Sequence, residues 1–307
     1  MAGDDLLSSW KGEGQWDSEG SFTIDPVKAL EKLSRFALEE PRRYILSLIS
    51  WAVASGATTI DLSVKAGRLE MAVPGVTLSH QDLLGLFADA GLSSVASREL
   101  AIATVTASRL SQARVTLSGV DACLTMSAKG ILVAPCDGQQ TVWRLEEPKS
   151  MLNWVGRALG DEGLEVPLLR EFCAHAEVPI TVNGLPIFRP LDLPRIRKAI
   201  HLSGPPLPLE PEQLAANSIE SRPSPGAFSA LVVASSSPIL RTNALYIVRG
   251  VSFEMNPVEL YGENFAVVVN APELTKDLSG RGLVANEECL RIHNEVAQLA
   301  QELWRST

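Results

Sequence analysis

Apolar residues spaced three and four apart mark the first element: Leu30, Leu33, Phe36 and Ala37 share one helical face, with Asp25 placed as N-cap and Pro26 at the first helical position. Pro41 ends that segment and opens the next. From Tyr44 to Ala57 apolar residues run almost all the way round, which predicts a helix enclosed in a core, and Gly56 stands where its C-terminal cap belongs. The period then drops to two. TTIDLSVK alternates, RLEMAV follows after Ala66-Gly67, and together they predict a hairpin. SHQDLLGLFADAG reads as a short helix capped by Ser79, and residues 98–111 as another helix. ARVTLSG, ACLTMSAKG, ILVAPCDG and QTVWRLE are short strands with turn glycines between them. Helices followed by an antiparallel sheet predict an α+β layered sandwich.

A second unit starts near Lys149. MLNWVGRALGDEGLEVPLLREFCAHA is predicted to be helical, and VPITVNGLPI to be a hairpin around Asn183-Gly184. Residues 203–226 hold six prolines among Gly, Ser and Glu and read as a long loop or insertion. FSALVVAS, ALYIVRGVSFEM and FAVVVNAP are strand patterns. The last segment, ANEECLRIHNEVAQLAQELW, is an amphipathic helix expected to turn Leu290, Val296, Leu299 and Leu303 inward. Three parts result: an N-terminal arm over 1–21, a first domain over 22–148 and a second over 149–307. Trp10 and Trp16 in the arm are suited to anchoring it on its own domain or on a partner.

This order of elements resembles that of a GHKL-type ATPase, the superfamily of gyrase, the ninety-kilodalton heat-shock chaperone, histidine kinases and the mismatch-repair ATPase. The resemblance is clearest over residues 22–117. FTIDPVKALEKLSRFALEEPRRYILSLISWAVASGATTIDLSV is similar to the chaperone-type entry, and MAVPGVTLSHQDLLGLF to the strand, turn and helix that carry the family's D-x-G-x-G motif. The resemblance implies a GHKL-like α/β sandwich, with helices on an antiparallel or mixed sheet, followed by a transducer-like α/β domain.

The family's chemistry rests on residue types that can be checked against this chain. Its buried helix supplies a Glu as general base and, one turn later on the same face, an Asn that coordinates magnesium. The matching positions hold Ser47 and Trp51, and the stretch Tyr44–Asp61 contains neither Glu nor Asn. Serine takes no proton at neutral pH, and an indole has only a donor to offer. The aspartate that receives the adenine amino group is matched by Val73; Gly75 matches the first glycine, and Thr77 replaces the second. Losing a charge-assisted contact of that kind costs about 1.5–3 kcal/mol. Between Gly85 and Gly119 the lid region holds only Gly91. Ser93, Ser94, Ser97 and Arg98 could face an anion there or simply cap a helix. The family's phosphate-contacting base from the second domain has two candidate matches, Lys276 and Arg281, which equally read as exposed charges around the Asp277–Gly280 turn.

His175 lies near Cys173 and Glu177 in sequence, without an oriented third group, and reads as a polar patch at a helix end. Arg189, Arg195, Arg197, Lys198 and His201 form the one local basic patch, either an anion site or the solvated face of a short helix.

Composition narrows the field further. The 307 residues carry a net charge of −9, with 46% hydrophobic and 21% charged residues, and the acidic excess is spread over both halves. Nothing here supplies the basic footprint of a direct nucleic-acid binder. Cys123, Cys136, Cys173 and Cys289 are scattered, which predicts reduced structural thiols and no zinc site. The acidic N-terminus is unlike a signal peptide, and the apolar run from Tyr44 falls short of the roughly 20 residues a membrane span needs. A cytoplasmic protein without membrane contact is therefore expected. Together with the resemblance, these residues imply a non-catalytic chaperone-like or scaffolding protein, a pseudo-ATPase acting by protein–protein contact. A homodimer or a heterodimer with an active relative is expected, with no bound cofactor. One alternative is an ATPase with rearranged groups using ATP and magnesium, its carboxylate coming from Glu70 or Asp89. The other is an accessory subunit of a DNA-topology or repair enzyme.

Overall fold

The computed structural model describes residues 40–65, 67–87, 94–110, 113–127, 130–148, 163–191, 196–209, 219–235, 244–255, 265–277 and 279–306. The arm, its tryptophans and the helix expected after Asp25 lie outside the described residues, as do Asp89, Gly91, Ser93 and Arg195. A 3-10 turn over Pro41–Arg43 leads into α1, Tyr44–Ala54. Proline suits that entry because a first turn needs no N–H from it and its φ is already helical. α1 buries eight of its eleven residues, as its all-round apolar pattern requires, and Gly56 follows it at φ 79°.

The first sheet has eight strands in the order β5-β4-β3-β6-β2-β1-β7-β8. They are β1 (Ile60–Lys65), β2 (Arg68–Val73), β3 (Arg114–Ser118), β4 (Ala122–Ser127), β5 (Gly130–Pro135), β6 (Thr141–Glu146), β7 (Ile180–Val182) and β8 (Leu185–Pro186). Strict alternation of buried and exposed residues in β1 leaves one face apolar, and helices cover that face. They are α2 (His80–Gly85), with a capping box between Ser79 and Asp82, and α3 (Val95–Ser108), which packs along α1. Trp143 of β6 joins the layers: its ring stacks on Tyr44 with centroids 5.6 Å apart, and its Nε1 donates to Thr104 Oγ1.

β7 and β8 come from beyond residue 149, so strand pairing in this sheet runs across the boundary that element order suggests. β7 lies parallel to β1, pairing Ile60 with Ile180 and Leu62 with Val182. Between them runs a long connection that includes α4, Glu165–Phe172. Asn183 and Gly184 turn the β7–β8 hairpin at φ 53° and 80°, the left-handed pair that a two-residue turn demands.

The second sheet has six strands in the order β10-β9-β11-β14-β12-β13. They are β9 (Ile196–Ser203), β10 (Ile219–Pro223), β11 (Ser229–Ser235), β12 (Ala244–Val248), β13 (Val251–Met255) and β14 (Phe265–Asn270). All seven residues of β11 are buried, because α5 (Glu287–Ser306) covers one face and a cluster around Leu207 and Leu209 covers the other. The hairpin between β12 and β13 turns at Arg249-Gly250 and presses its tip on α1. A Cβ on Gly250 would stand 3.0 Å from Val53 and 3.2 Å from Ile49, at φ 77°, so both space and backbone require glycine there. One hydrophobic core runs through both sheets. The chain is thus mixed α+β, with two mixed sheets and five helices among the described residues.

Several expectations need correcting. The loop expected over 203–226 ends in β10, an edge strand whose Pro223 is tolerated because an edge spares one ladder position; residues 210–218 lie outside the described residues. Residues 196–203, read as a possible helix face, form β9, so Arg197, Lys198 and His201 of the basic patch lie on a strand in which Lys198 reaches Ser306 and His201 reaches Ser221, while Arg189 lies outside that strand. Leu290 is 53% exposed, and Cys289 and Ile292 take the inner positions of α5 instead. Cys123 and Cys136, expected as free thiols, are joined across the β4–β5 hairpin, whose register brings their Cα atoms to 5.7 Å. Cys173 and Cys289 are free and buried. No described helix is long and apolar enough to cross a membrane.

Candidate functional site

α1, α3 and the segment after β14 meet around a cavity of about 220 Å³. α1 turns Ser47 and Leu46 to it, α3 turns Arg98, Glu99 and Ile102, and the third wall comes from Thr275 to Val284. That wall is a closed turn. Lys276 bridges to Leu283, Asp277 N–H donates to the Gly282 carbonyl, and Asp277 Oδ1 accepts from Ser279 Oγ at 2.7 Å and from Arg281 N–H at 3.1 Å. Gly280 takes the left-handed φ of 65° that lets the turn close.

Lys276 is the centre of this arrangement. Its Nζ lies 2.9 Å from Glu99 Oε2 and 2.9 Å from Ser50 Oγ, and the lysine and glutamate side chains are 8% and 6% exposed. Burial pulls the ammonium pKa below its ordinary value, and the Glu99 carboxylate opposes that fall. The expectation of an exposed, solvating charge at Lys276 is therefore corrected. A buried cation needs an anion, and Glu99 lies 177 positions away in the chain. Glu99 is not among the residues singled out from sequence, although the sequence carries a signal. Glu99 shares a helix face with Ile102, Ala103 and Thr106, so a carboxylate stands on an otherwise buried stripe and must find a partner there.

Of the five pocket positions read from sequence, Ser47 reaches this cavity and the other four do not. Trp51 is 1% exposed inside the core, and Val73 is fully buried at the end of β2. Gly75 and Thr77 are exposed. The glycine has its own local reason: Val76 N–H donates to the Val73 carbonyl, and Gly75 sits at φ 86° after Pro74, as the third residue of a type II turn must. Ser94 caps α3 through Ser97 N–H. Glu70, considered as a replacement base, pairs with Arg144 at 2.9 Å on the sheet and lines neither cavity.

The cavity is smaller than the roughly 300–1,000 Å³ of ordinary ligand clefts. Its Glu99 carboxylate already pairs with Lys276, and Trp51 is buried in the core away from the cavity. Among the described residues no group of three His, Cys, Asp or Glu side chains could hold a metal. Cys173 and His175 form no dyad: burial pushes the thiol up to about 12, and the imidazole Nδ1 donates to the Arg189 carbonyl at 2.9 Å.

Beyond this cavity, α4 and the β12–β13 hairpin flank an open groove of about 840 Å³, to which Arg170, His175, Arg189 and Arg281 contribute. No protein-family model matches the chain, and no curated protein matches it.

Proposed function

We propose that the chain is a non-catalytic, chaperone-like or scaffolding protein on a degenerate GHKL-type architecture, and that it works by protein–protein contact. The observation that carries this reading is the Lys276–Glu99–Ser50 cluster beside Ser47. A GHKL ATPase, on the resemblance described above, would direct such a cation to a phosphate and place a glutamate at the Ser47 position. Here the protein answers its own lysine, and the helix facing it offers hydroxyls. Ser50 Oγ accepts from Lys276 Nζ, and neither Ser47 nor Ser50 abstracts a proton from water at neutral pH.

The test is ATP turnover by the full chain with magnesium, beside its melting temperature with and without nucleotide and its suppression of aggregation of a heat-unfolded client. Turnover at the buffer rate, melting indifferent to nucleotide and client protection without ATP are expected. A second reading, the rearranged ATPase, draws on Glu99, a carboxylate that does line the cavity. Magnesium-dependent turnover that vanishes in Glu99→Gln would replace the first reading with the second.

A further inference from the structure

β5 is latched to its sheet more than it is seated in it. The strand carries no charged side chain and no fully buried one: Ile131 and Leu132 are 40% and 65% exposed, and only Val133 packs against the core. β10 also lacks a fully buried residue, but Arg222 ties it to Glu302 of α5. Beyond its ladder to β4 and the cover of α2, β5 is held by the Cys123–Cys136 disulfide, at the end away from the hairpin turn.

Three backbone segments cross beside this staple. Cys136 N–H donates to the Asp121 carbonyl, Gly138 N–H to the Val120 carbonyl, and Val120 N–H to the Leu78 carbonyl, one residue before the Ser79 cap of α2. The crossing leaves no room for side chains. A Cβ on Gly138 would run into the Gly119 carbonyl oxygen, and one on Gly119 into that of Leu78. One covalent bond therefore secures the end of β5, the β3–β4 turn and the entry to α2. Both of its cysteines are half-buried at a sheet edge and open to attack, whereas Cys173 and Cys289 are buried thiols whose burial raises their pKa, and they take no part.

We propose that the Cys123–Cys136 disulfide is a reversible redox latch: a dithiol opens it, and β5 then detaches from β4 while the rest of the fold stands. A thiolate of the dithiol attacks one sulfur of the pair, the protein S–S bond breaks, and a mixed disulfide forms that the second thiol of the reductant displaces. Two electrons and two protons pass to Cys123 and Cys136, and the reductant leaves as its own disulfide. Asp121 and Asp137 beside the latch are exposed, so an uncharged dithiol suits it better than an anionic thiol. Opening frees a closed span of 13 residues and shifts the balance toward detached β5 by roughly a hundredfold. The latch is independent of whether the chain hydrolyses ATP.

The test is hydrogen exchange by mass spectrometry on the full chain, prepared without reductant and labelled in brief pulses before and after dithiothreitol. Reduction should speed exchange over residues 130–138 at least tenfold and leave β11 and α5 protected, and glutathione disulfide should restore the first pattern. Cys123→Ser with Cys136→Ser should show the reduced pattern without dithiothreitol. Iodoacetamide on the folded chain should modify Cys123 and Cys136 only after reduction. Four results would overturn the proposal. They are alkylation of both cysteines before reduction, a disulfide that survives dithiothreitol until the chain unfolds, unchanged exchange over residues 130–138, or labelling that spreads equally through both sheets.

Discussion

Lys276 and Glu99 bring opposite charges from distant parts of the chain to 2.9 Å inside the protein. Such a pair gives little net stability over an apolar filling, yet stranding one member is expensive. Glu99→Gln or Lys276→Ala should each cost about 3–5 kcal/mol in urea unfolding, whereas Lys276→Met with Glu99→Leu should come near the parent. Two histidines contribute to the pH dependence on the acid side of neutrality. Burial lowers the folded pKa of His175 and of His201 below 6.5, so the fold favours the neutral ring at both. Their contribution is complete above 6.5 and is lost as pH falls from 6.5 toward each folded value, because the unfolded chain then binds more protons. The unfolding midpoint should drop between pH 7 and 5, and drop less in His175→Gln with His201→Gln. The burial of Trp51 is legible in sequence, because its helix is apolar almost all the way round. That of Lys276 is not, because the local string TKDLSG looks like any solvated turn and only its distant partner reveals the burial.

Among the elements, the β7–β8 hairpin is held by its own turn. Asn183 Oδ1 accepts from Val64 N–H at 2.9 Å and its Nδ2 donates to the Val64 carbonyl at 3.1 Å, so one amide side chain caps the end of β1. Asn183→Gly keeps the left-handed turn and loses that clamp; by two hydrogen bonds it should lower stability by about 1–3 kcal/mol, with faster amide exchange at Val64. The β4–β5 hairpin has a covalent staple instead. Its disulfide closes a span of 13 residues, a loop size whose restraint is worth about 3 kcal/mol, so Cys123→Ser with Cys136→Ser should lower the urea midpoint without changing the far-ultraviolet spectrum. Period and turn chemistry made most elements readable, because hairpins and amphipathic helices write their geometry locally. The strand over residues 219–223 stayed hidden among prolines, since an edge position relaxes the very rules that identify strands. Leu290 misled for a similar reason: a helix stripe 20 residues long has more apolar candidates than inner positions.

At the scale of the whole molecule, topology outran what the sequence could disclose. A division near residue 149 follows naturally from the run of elements, yet β1 finds β7 about 120 positions downstream, and parallel pairing leaves no local mark on either strand. The Arg42 guanidinium ties the same regions together, meeting Glu147 at the end of β6 and Glu165 at the start of α4. That parallel contact has a consequence in time. A chain emerging from the ribosome can assemble β1 to β6 early, but the outer edge of β1 stays open until residue 182 has been made and has travelled back. Long-range pairing of this sort slows folding and leaves a templating edge exposed meanwhile. Expressed alone, residues 40–148 should accordingly aggregate or self-associate, while residues 40–191 should be better behaved by sedimentation and light scattering. Synthesis pace through the stretch after Glu147 would then decide how many chains mature and how many stick.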